Sequence, residues 1–216
     1  MIIAVDGSAA SGKGTLAKRL AAHYNLAHLD TGALYRCLAL RLITDGQTAS
    51  RLTESDAADA IDGIDLSMAG SAAIRTEAVA GMASVVAAMP TVRQKFVSLQ
   101  RQFATQTPDH HGAVLDGRDI GSVILPEADF KFFIDADLQE RARRRTRELQ
   151  ESGQSVMFRH VFQDMEARDR RDRDRETAPL KAAGDALVID TTRLDADAVF
   201  AMAARHIDEN MKRKLR

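Results

Sequence analysis

The chain has 216 residues, 45% of them hydrophobic, which is enough to bury the core of one domain without disulfides or a structural metal. Its 30 Lys and Arg residues against 31 Asp and Glu give a formal net charge of −1, so charge supplies no bulk attraction to a nucleic acid or an anionic membrane. The single cysteine, Cys37, excludes an internally disulfide-bonded secreted module, and the apolar opening that Asp6 interrupts is too short for a signal sequence or a membrane span. We therefore expect one domain over residues 1–216 that acts in the cytoplasm as a monomer, with neither a nucleic-acid nor a membrane partner.

Short apolar runs predict the strands of a single sheet. Residues 2–5 form a continuous apolar run ended by Asp6 and Gly7, a pattern typical of a strand buried on both faces, and we expect this strand at the centre. The alternation of such runs with helical segments predicts an α/β fold in which a parallel sheet is flanked by helices. The further strands are predicted at residues 113–115, 130–134 and 186–189, and the helices at residues 13–23, 32–43, 75–88, 92–104, 138–151, 156–170 and 196–214.

A glycine-rich loop directly follows the first predicted strand. Its sequence, GSAASGKGT, matches the phosphate-binding pattern G-x-x-x-x-G-K with an extra glycine before the hydroxyl residue; an ordinary Gly/Ser turn is the alternative. Glycines let the backbone turn its N–H groups toward a phosphate, and the next helix adds free donors and partial positive charge. We expect Lys13 to contact the β- and γ-phosphates of a nucleoside triphosphate and the Thr15 hydroxyl to bind magnesium. The loop residues predicted to bind this triphosphate are Gly7, Ser8, Ala9, Ala10, Ser11, Gly12, Lys13, Gly14 and Thr15.

A second polar segment, residues 30–36, follows a short stretch that we interpret as another strand. Thr31 is a favourable N-cap residue for the next helix, which places Tyr35 and Arg36 about one turn into that helix. An arginine presents a planar fork of donors to a phosphate, and a tyrosine presents a flat face and one hydroxyl. The alternative is a surface arginine beside a half-buried tyrosine.

A third polar segment ends the strand predicted at residues 113–115. Asp116, Arg118 and Asp119 stand at its carboxyl end, where open α/β sheets bind ligands. We expect Asp116 to serve magnesium through water, with Arg118 and Asp119 facing the crevice. A plain Asp-Gly turn is the alternative.

An alternating charge run spans residues 166–175. Arg168, Asp172 and Arg175 have the spacing i, i+4 and i+7, so on a helix they form one stripe suited to a sugar and phosphates. The alternative is a solvated helix face, which is also our expectation for Asp169 and Asp174, off that stripe. A dense basic patch precedes the run, separated from it by a segment predicted to be mobile over residues 148–163; its members are Arg141, Arg143, Arg144, Arg145 and Arg147.

Together these motifs resemble the bacterial cytidylate kinases, within the nucleoside monophosphate kinase family, over almost the whole chain. The phosphate loop is generic, whereas its ordered combination with residues 30–36, 116–121 and 168–175 is specific. Further matching segments are residues 74–76, 83–87, 90–93 and 179–180. The resemblance implies a P-loop NTPase fold in which the sheet carries a monophosphate-binding insertion at about residues 36–105 and a short lid at residues 148–163.

The resemblance also implies an activity, the transfer of the γ-phosphoryl group of MgATP to the 5′-phosphate of CMP or dCMP. Because the attacking phosphate oxygen is already ionised near neutral pH, this reaction needs no general base. The implied catalytic residues are Lys13, Arg118 and Arg175, and Arg144 is implied to contact ATP. The implied acceptor residues are Thr31, Tyr35, Ser84, Arg93 and Asp119 at the cytosine, Arg36 and Arg118 at its phosphate, Arg168 and Asp172 at the ribose, and Arg175 at the transferring phosphate. The implied metal residues are Thr15 and Asp116.

The chain departs from the family pattern at two places. Thr31 stands where the family commonly has serine, and residues 62–73 replace a longer β-rich insertion of some relatives.

Two other functions are alternatives to this activity. A kinase for uridylate, adenylate or shikimate would use the same arginines. A nucleotide-controlled switch would use the phosphate loop alone, but the chain has no Asn-Lys-x-Asp motif and does have a second arginine-rich segment. The six histidines lack metal-ligand spacing, so we expect them on the surface or in the core.

Overall fold

Five parallel strands form the sheet of this protein. The computed structural model describes residues 1–214. Across the sheet the strand order is β2-β3-β1-β4-β5, and every neighbouring pair is parallel, which confirms the central position predicted for the first strand. The strands are β1 (Ile2–Gly7), β2 (Ala27–Asp30), β3 (Ala113–Gly117), β4 (Phe130–Asp135) and β5 (Leu187–Asp190).

Helices surround the sheet, and each of the seven that the sequence predicts is present with boundaries shifted by at most four residues. The helices are α1 (Lys13–Tyr24), α2 (Thr31–Thr44), α3 (Glu54–Asp59), α4 (Glu77–Val86), α5 (Pro90–Thr105), α6 (Leu138–Glu151), α7 (Phe158–Asp174) and α8 (Ala196–Lys214). Helix α3 and three short 3₁₀ turns occupy the stretch between α2 and α4. The predicted α/β fold is therefore confirmed. Within residues 1–214, no helix combines the length and the apolar character that crossing a membrane requires.

The main core fixes the phosphate loop at the edge of the sheet. Leu16 and Leu20 of α1 and Ile207 of α8 are buried in one cluster with Val5 of β1 and Ile134 of β4. Burying each such side chain contributes about 1.5–3 kcal/mol, so α1 is held firmly against β1 and β4. Its first residue consequently stands at the carboxyl end of β1.

Two further cores lie on the elements beside that edge. Helices α2, α4 and α5 share a cluster that includes Leu38, Val79 and Phe96. Helices α6 and α7 pack on each other through a smaller cluster that includes Leu149 and Val161. The polar segments at residues 30–36, 116–121 and 168–175 are thus carried by elements with separate apolar support.

Candidate functional site

A cavity of about 650 Å³ opens at the carboxyl ends of β2 and β3, directly beside the loop that follows β1. The phosphate loop and α1 form one wall, helices α2, α4 and α5 contribute a second, and α6 and α7 contribute a third. The parallel topology explains this position, because the carboxyl ends of parallel strands lie at one edge of the sheet. The volume is that of a site for small-molecule ligands.

The phosphate loop turns its backbone toward this cavity. Ala10 and Gly12 have φ angles of 56° and 92°, in the left-handed region, and the chain then enters α1 at Lys13. No side chain caps the amino end of α1, so its first N–H groups remain free for an anionic ligand. Of the predicted ATP-binding residues, those that line the large cavity are Ala9, Ala10, Gly12, Lys13, Gly14 and Thr15.

Lys13 carries a charge that depends on the contents of the cavity. Its Nζ donates a hydrogen bond to the Ser8 carbonyl oxygen at 3.2 Å, so the side chain folds back over the loop. Burial, followed by the neighbouring charge of Arg118, lowers the pKa of Lys13 to about 7, although Asp116 and Asp30 act in the opposite direction. Phosphates bound in the loop would favour the charged ammonium.

The first part of the loop is held against the sheet. A Cβ on Gly7 would lie 1.9 Å from a backbone oxygen of β4, and its φ of 152° is also unfavourable for other residues, so glycine is required. The buried Ser8 hydroxyl donates to the Asp135 carboxylate, and Nη1 of Arg141 donates to the Ala9 carbonyl oxygen at 3.2 Å. Gly7 and Ser8 thus support the loop, whereas Ala9, Ala10 and residues 12–15 line the large cavity.

A smaller cavity, of about 260 Å³, also borders the phosphate loop. Ser11 and Arg144, both predicted to bind ATP, line it together with Thr191 and Leu194. Arg144 donates from Nη1 to the Thr191 hydroxyl at 3.1 Å and from Nη2 to the Thr191 carbonyl oxygen at 2.7 Å. The buried Ser11 hydroxyl has no hydrogen-bond partner among the described residues. Arg144 therefore lies at the smaller cavity, which the phosphate loop also borders.

Thr15 and Asp116, the two residues predicted to bind magnesium, line the large cavity. Oδ1 of Asp116 accepts a hydrogen bond from His28 Nε2 at 2.8 Å, and Oδ2 lies 3.6 Å from the place a Cβ on Gly14 would take. The carboxylate therefore sits against the phosphate loop, one residue from the Thr15 hydroxyl. Residues 1–214 contain no group of three or more His, Cys, Asp and Glu side chains suited to a metal ion. A hydroxyl and one carboxylate fit Mg²⁺, which takes its remaining oxygen ligands from water and substrate phosphates.

The structure corrects the predicted cap of α2. Asp30, and not Thr31, is the N-cap residue, since its carboxylate accepts a backbone N–H three residues later at 3.1 Å. The same carboxylate accepts from Arg36 Nη2 at 2.6 Å. Asp30 is the better cap because its negative charge also favours the positive end of the helix. Thr31 is the first helical residue, and its buried hydroxyl donates to the Asp116 carbonyl oxygen at 2.8 Å.

Five residues predicted for the cytosine end of the acceptor all line the large cavity. They are Thr31, Tyr35, Ser84, Arg93 and Asp119. Asp119 forms a buried ion pair with Arg93, and Nη2 of Arg175 lies 3.5 Å from its other oxygen. Burial raises the pKa of Tyr35, so this hydroxyl is neutral. The group combines one carboxylate acceptor with guanidinium and hydroxyl donors, a set that can match both polar edges of a heterocyclic base.

A second set of charged residues links the phosphate loop to α7. Arg118 donates from Nη1 to the Gly7 carbonyl oxygen at 2.8 Å and from Nε to Asp172 at 2.9 Å. Burial favours the neutral form of Asp172, but Arg118 and Arg168 outweigh it and hold the pKa of Asp172 below its usual value. Burial and then the charge of Arg118 lower the pKa of Arg168 to about 10, so this guanidinium is still charged at neutral pH.

The predicted stripe on α7 holds for two residues and not for the third. Arg168 and Asp172 lie on the helix, but α7 ends at residue 174 and Arg175 leaves it with φ −62° and ψ 136°. This exit brings Arg175 to Asp119. The prediction that Asp169 is solvated is wrong, because Asp169 is only 2% exposed and accepts a hydrogen bond from buried Arg141 at 2.6 Å.

The basic patch predicted on α6 is spread around the helix. Arg141 points into the protein, Arg144 lies at the smaller cavity, and Arg145 lines the large cavity and contacts Glu77 at 2.8 Å. The segment predicted to be mobile is largely helical, since α6 continues to Glu151 and α7 begins at Phe158. A connection of six residues, 152–157, joins them.

Among the cavity residues that the sequence analysis missed are His28, Arg171 and Gln100. His28 was expected on the surface or in the core, yet it lines the cavity and holds Asp116; a period of two along β2, which places it on the same side as Asp30, was an available signal. Arg171 donates to the Ser84 hydroxyl at 3.3 Å and is three residues after Arg168 on α7. Gln100 is a buried amide on α5, and nothing in its sequence context indicated a site.

Several arginines at the cavity retain unused donors. Nε of Arg36, Nε of Arg168 and Nη2 of Arg175 are buried and have no hydrogen-bond partner among residues 1–214. Leaving a buried donor unpaired costs about 1–3 kcal/mol, and an anionic ligand would remove that cost. The three arginines line the same cavity as the amino end of α1, so the site is suited to two phosphorylated ligands side by side.

Comparisons with known proteins agree with this geometry. A family model described as Cytidylate kinase matches residues 3–209. The protein called cytidylate kinase in Nitrobacter winogradskyi is 51% identical over 198 residues, covering 92% of this chain and 91% of the relative. Its namesake in Methylocella silvestris is 50% identical over 204 residues, covering 94% and 92%. A crystal structure of an uncharacterized protein from Eubacterium ventriosum shares the fold, with a TM-score of 0.54 and 18% identity over 96% of this chain and 98% of that one.

Proposed function

The chain belongs to the cytidylate kinase family, and we propose that its large cavity binds MgATP and the monophosphate acceptor side by side, through the residues described above. The protein is an ATP-dependent phosphotransferase that phosphorylates CMP and dCMP. The observation that carries the assignment of the site is the presence, in one cavity, of an uncapped phosphate loop and of arginines with unused buried donors.

On the ATP side, the loop N–H groups and Lys13 bind the phosphates. The smaller cavity, with apolar Leu194 and the polar groups of Arg144 and Thr191, receives the nucleoside of ATP. Thr15 and Asp116 would hold Mg²⁺, directly or through water, with His28 fixing the Asp116 carboxylate. When bound, Mg²⁺ would supply positive charge against the negative charge that develops during transfer.

On the acceptor side, the cytosine lies against Asp119, Arg93 and Ser84, with Thr31 and Tyr35 on the same wall. Arg36 and Arg118 bind the 5′-phosphate. Arg168 and Asp172 bind the ribose hydroxyls, and Arg175 lies between the base and the transferring phosphate. In this assignment the ion pairs of the free protein position each arginine before the acceptor arrives.

In the reaction, an ionised oxygen of the CMP 5′-phosphate attacks the γ-phosphorus of ATP. The bond from that phosphorus to the β–γ bridging oxygen breaks, and ADP leaves with the bonding electrons. No side chain has to remove a proton, so the contribution of this chain is to align two mutually repelling phosphates and to exclude water. Arg118 and Arg175 supply fixed positive charges, and Lys13 adds a third once bound phosphates favour its ammonium form.

We also propose that one chain is sufficient for the reaction, since the phosphate loop and the arginines of the acceptor side line one cavity. The acceptor-binding insertion corresponds to residues 36–105, and residues 148–163 form the lid. The protein then acts as a monomer in the cytoplasm, on nucleotides and not on nucleic acid.

An acceptor panel tests the function and the base site together. We expect ADP formation to require a monophosphate, with CMP and dCMP preferred to UMP, and AMP the poorest acceptor. In Asp119→Asn the specificity constant for CMP relative to UMP should fall about 5- to 150-fold, because one unmatched polar group costs about 1–3 kcal/mol. Equal specificity constants for AMP and CMP would contradict the acceptor, and ATP turnover without any acceptor would favour the nucleotide switch.

A further inference from the structure

Asp6, the last residue before the phosphate loop's first glycine, makes contacts that the mechanism above does not use. Its side chain is buried, with 4% of the residue exposed. Oδ1 accepts the N–H of Ile120 at 2.7 Å, and Oδ2 accepts the N–H of Gly121 at 2.7 Å. A carboxylate on the central strand thus binds the backbone just after the acceptor residues Arg118 and Asp119.

The two N–H groups belong to the first turn of a short π-helix, Ile120–Ile124. Asp119 occupies the N-cap position of that turn, and an aspartate there ordinarily accepts the N–H of the second or third residue of the turn, here Gly121 or Ser122, with its own side chain. Asp119 makes no capping hydrogen bond. Its carboxylate faces Arg93 and Arg175 instead.

We propose that Asp6 is a positioning residue for the acceptor site: it caps the π-turn in place of Asp119 and so leaves the Asp119 carboxylate free to face the base. This inference rests on the proposed function, because it takes Asp119 as the residue that contacts the cytosine. The same strand end is tied to the loop a second time, since Arg118 donates to the Gly7 carbonyl oxygen at 2.8 Å. The first residues of the phosphate loop and residues 118–121 are therefore held at a fixed separation.

The volume-conserving variant Asp6→Asn tests the proposal. The amide presents one acceptor and one donor to two N–H groups, so at least one capping bond is lost and Asp119 gains a competing partner. The readout is the ratio of the CMP to the UMP specificity constant, which does not depend on the fraction of enzyme that is folded. We expect this ratio to fall at least about fivefold, the effect of one lost hydrogen bond, while the Kd for ATP measured without acceptor stays within about twofold.

Two further proteins make the test specific. In the double variant with Asp119→Asn, the Asp6 substitution should change the ratio no further, because its effect passes through Asp119. The matched control is Asp129→Asn. The Asp129 carboxylate accepts the backbone N–H of Ile2 at 2.9 Å, at the opposite end of β1 from Asp6, and this variant should keep the wild-type ratio. A wild-type ratio in Asp6→Asn together with a reduced ratio in Asp119→Asn would overturn the positioning role alone. An unchanged ratio in Asp119→Asn would instead contradict the proposed base site.

Discussion

Lys13 is the residue whose ionisation should report most directly on ligand binding. Its pKa of about 7 in the free protein means that the side chain is mostly neutral at pH 8. Bound phosphates favour the ammonium and raise this pKa, so binding takes up protons. We expect ATP binding at pH 8 to take up about one proton per site, and the uptake to fall toward zero below about pH 6. Calorimetry in two buffers of different ionisation enthalpy measures it.

The matched control for this measurement is Lys13→Arg. A guanidinium remains protonated at every pH of the experiment, so the proton uptake assigned to Lys13 should disappear even if ATP still binds. Equal uptake in the wild type and in this variant would place the titrating group elsewhere.

Asp172 and Asp174 are two residues apart on α7 and have different environments. Asp172 is buried at the cavity and paired with Arg118, whereas Asp174 is exposed. We expect Asp172→Ala to lower the specificity constant for CMP by about 10- to 150-fold, the range of about 1.5–3 kcal/mol for a hydrogen bond to a charged group. ATP affinity without acceptor should be nearly unchanged, and Asp174→Ala should match the wild type. Indistinguishable kinetics of the two variants would contradict the role of Asp172.

At the scale of the element, α7 is joined to the phosphate loop by a buried ion pair. Arg141 of α6 donates to Asp169 of α7 at 2.6 Å, and it also donates to the Ala9 carbonyl oxygen of the loop at 3.2 Å. Both side chains are almost fully buried. The pair therefore connects the helix that carries Arg168 and Asp172 with the residues that bind ATP.

Removing one partner of this ion pair should lower the stability of the folded protein. We expect Asp169→Ala to lower the free energy of unfolding by about 3–5 kcal/mol, since it removes the nearer of the two carboxylates that face the buried Arg141 charge. Glu166→Ala, an exposed residue of the same helix, should stay within about 0.5 kcal/mol of the wild type. Urea unfolding of the two variants measures the difference. A similar small loss in both would contradict the structural role of Asp169.

The elements that the sequence predicts well are those whose local pattern has one physical interpretation. The apolar run before Asp6 is short, β-branched and followed by glycine, which favours a buried strand, and the glycines after it favour an unusual backbone. The charge run on α7 is different, because residue type there does not distinguish a solvated aspartate from a buried one. Only the position of Arg141, which comes from a different helix, decides that Asp169 is inside.

The candidate site shows the same limit. Asp116, Arg118 and Asp119 were predicted at the cavity because the carboxyl end of a parallel strand is a topological position. The cap of α2 was assigned to Thr31 because threonine and aspartate both cap helices, and the choice depends on the partners that Asp30 finds. His28 escaped notice because its role depends on Asp116, which is distant in sequence and adjacent in the sheet.

At the scale of the whole molecule, two walls of the cavity are in direct contact. Arg145 of α6 donates to Glu77 of α4 from Nε at 3.1 Å and from Nη2 at 2.8 Å, and it also donates to the Arg75 carbonyl oxygen at 3.0 Å. Burial opposes the charge of Arg145, but the carboxylates of Glu77 and Glu148 outweigh it and raise the pKa of this guanidinium. The acceptor-side helices and the α6–α7 pair are thus linked by charge in the free protein.

We expect Glu77→Gln to loosen this link without unfolding either side. The pair is partly exposed, and such pairs contribute at most about 1 kcal/mol, so amide hydrogen exchange in residues 77–86 and 138–151 should be up to about fivefold faster. With ATP and CMP both bound, the difference from the wild type should vanish, because the ligands then bridge the same two sides. Asp45→Asn is the control, since it weakens an exposed pair with Arg41 at the carboxyl end of α2 that joins no separate elements. Exchange that is unchanged in Glu77→Gln, or accelerated equally at these helices in Asp45→Asn, would show that the Arg145 contact does not hold the two sides together.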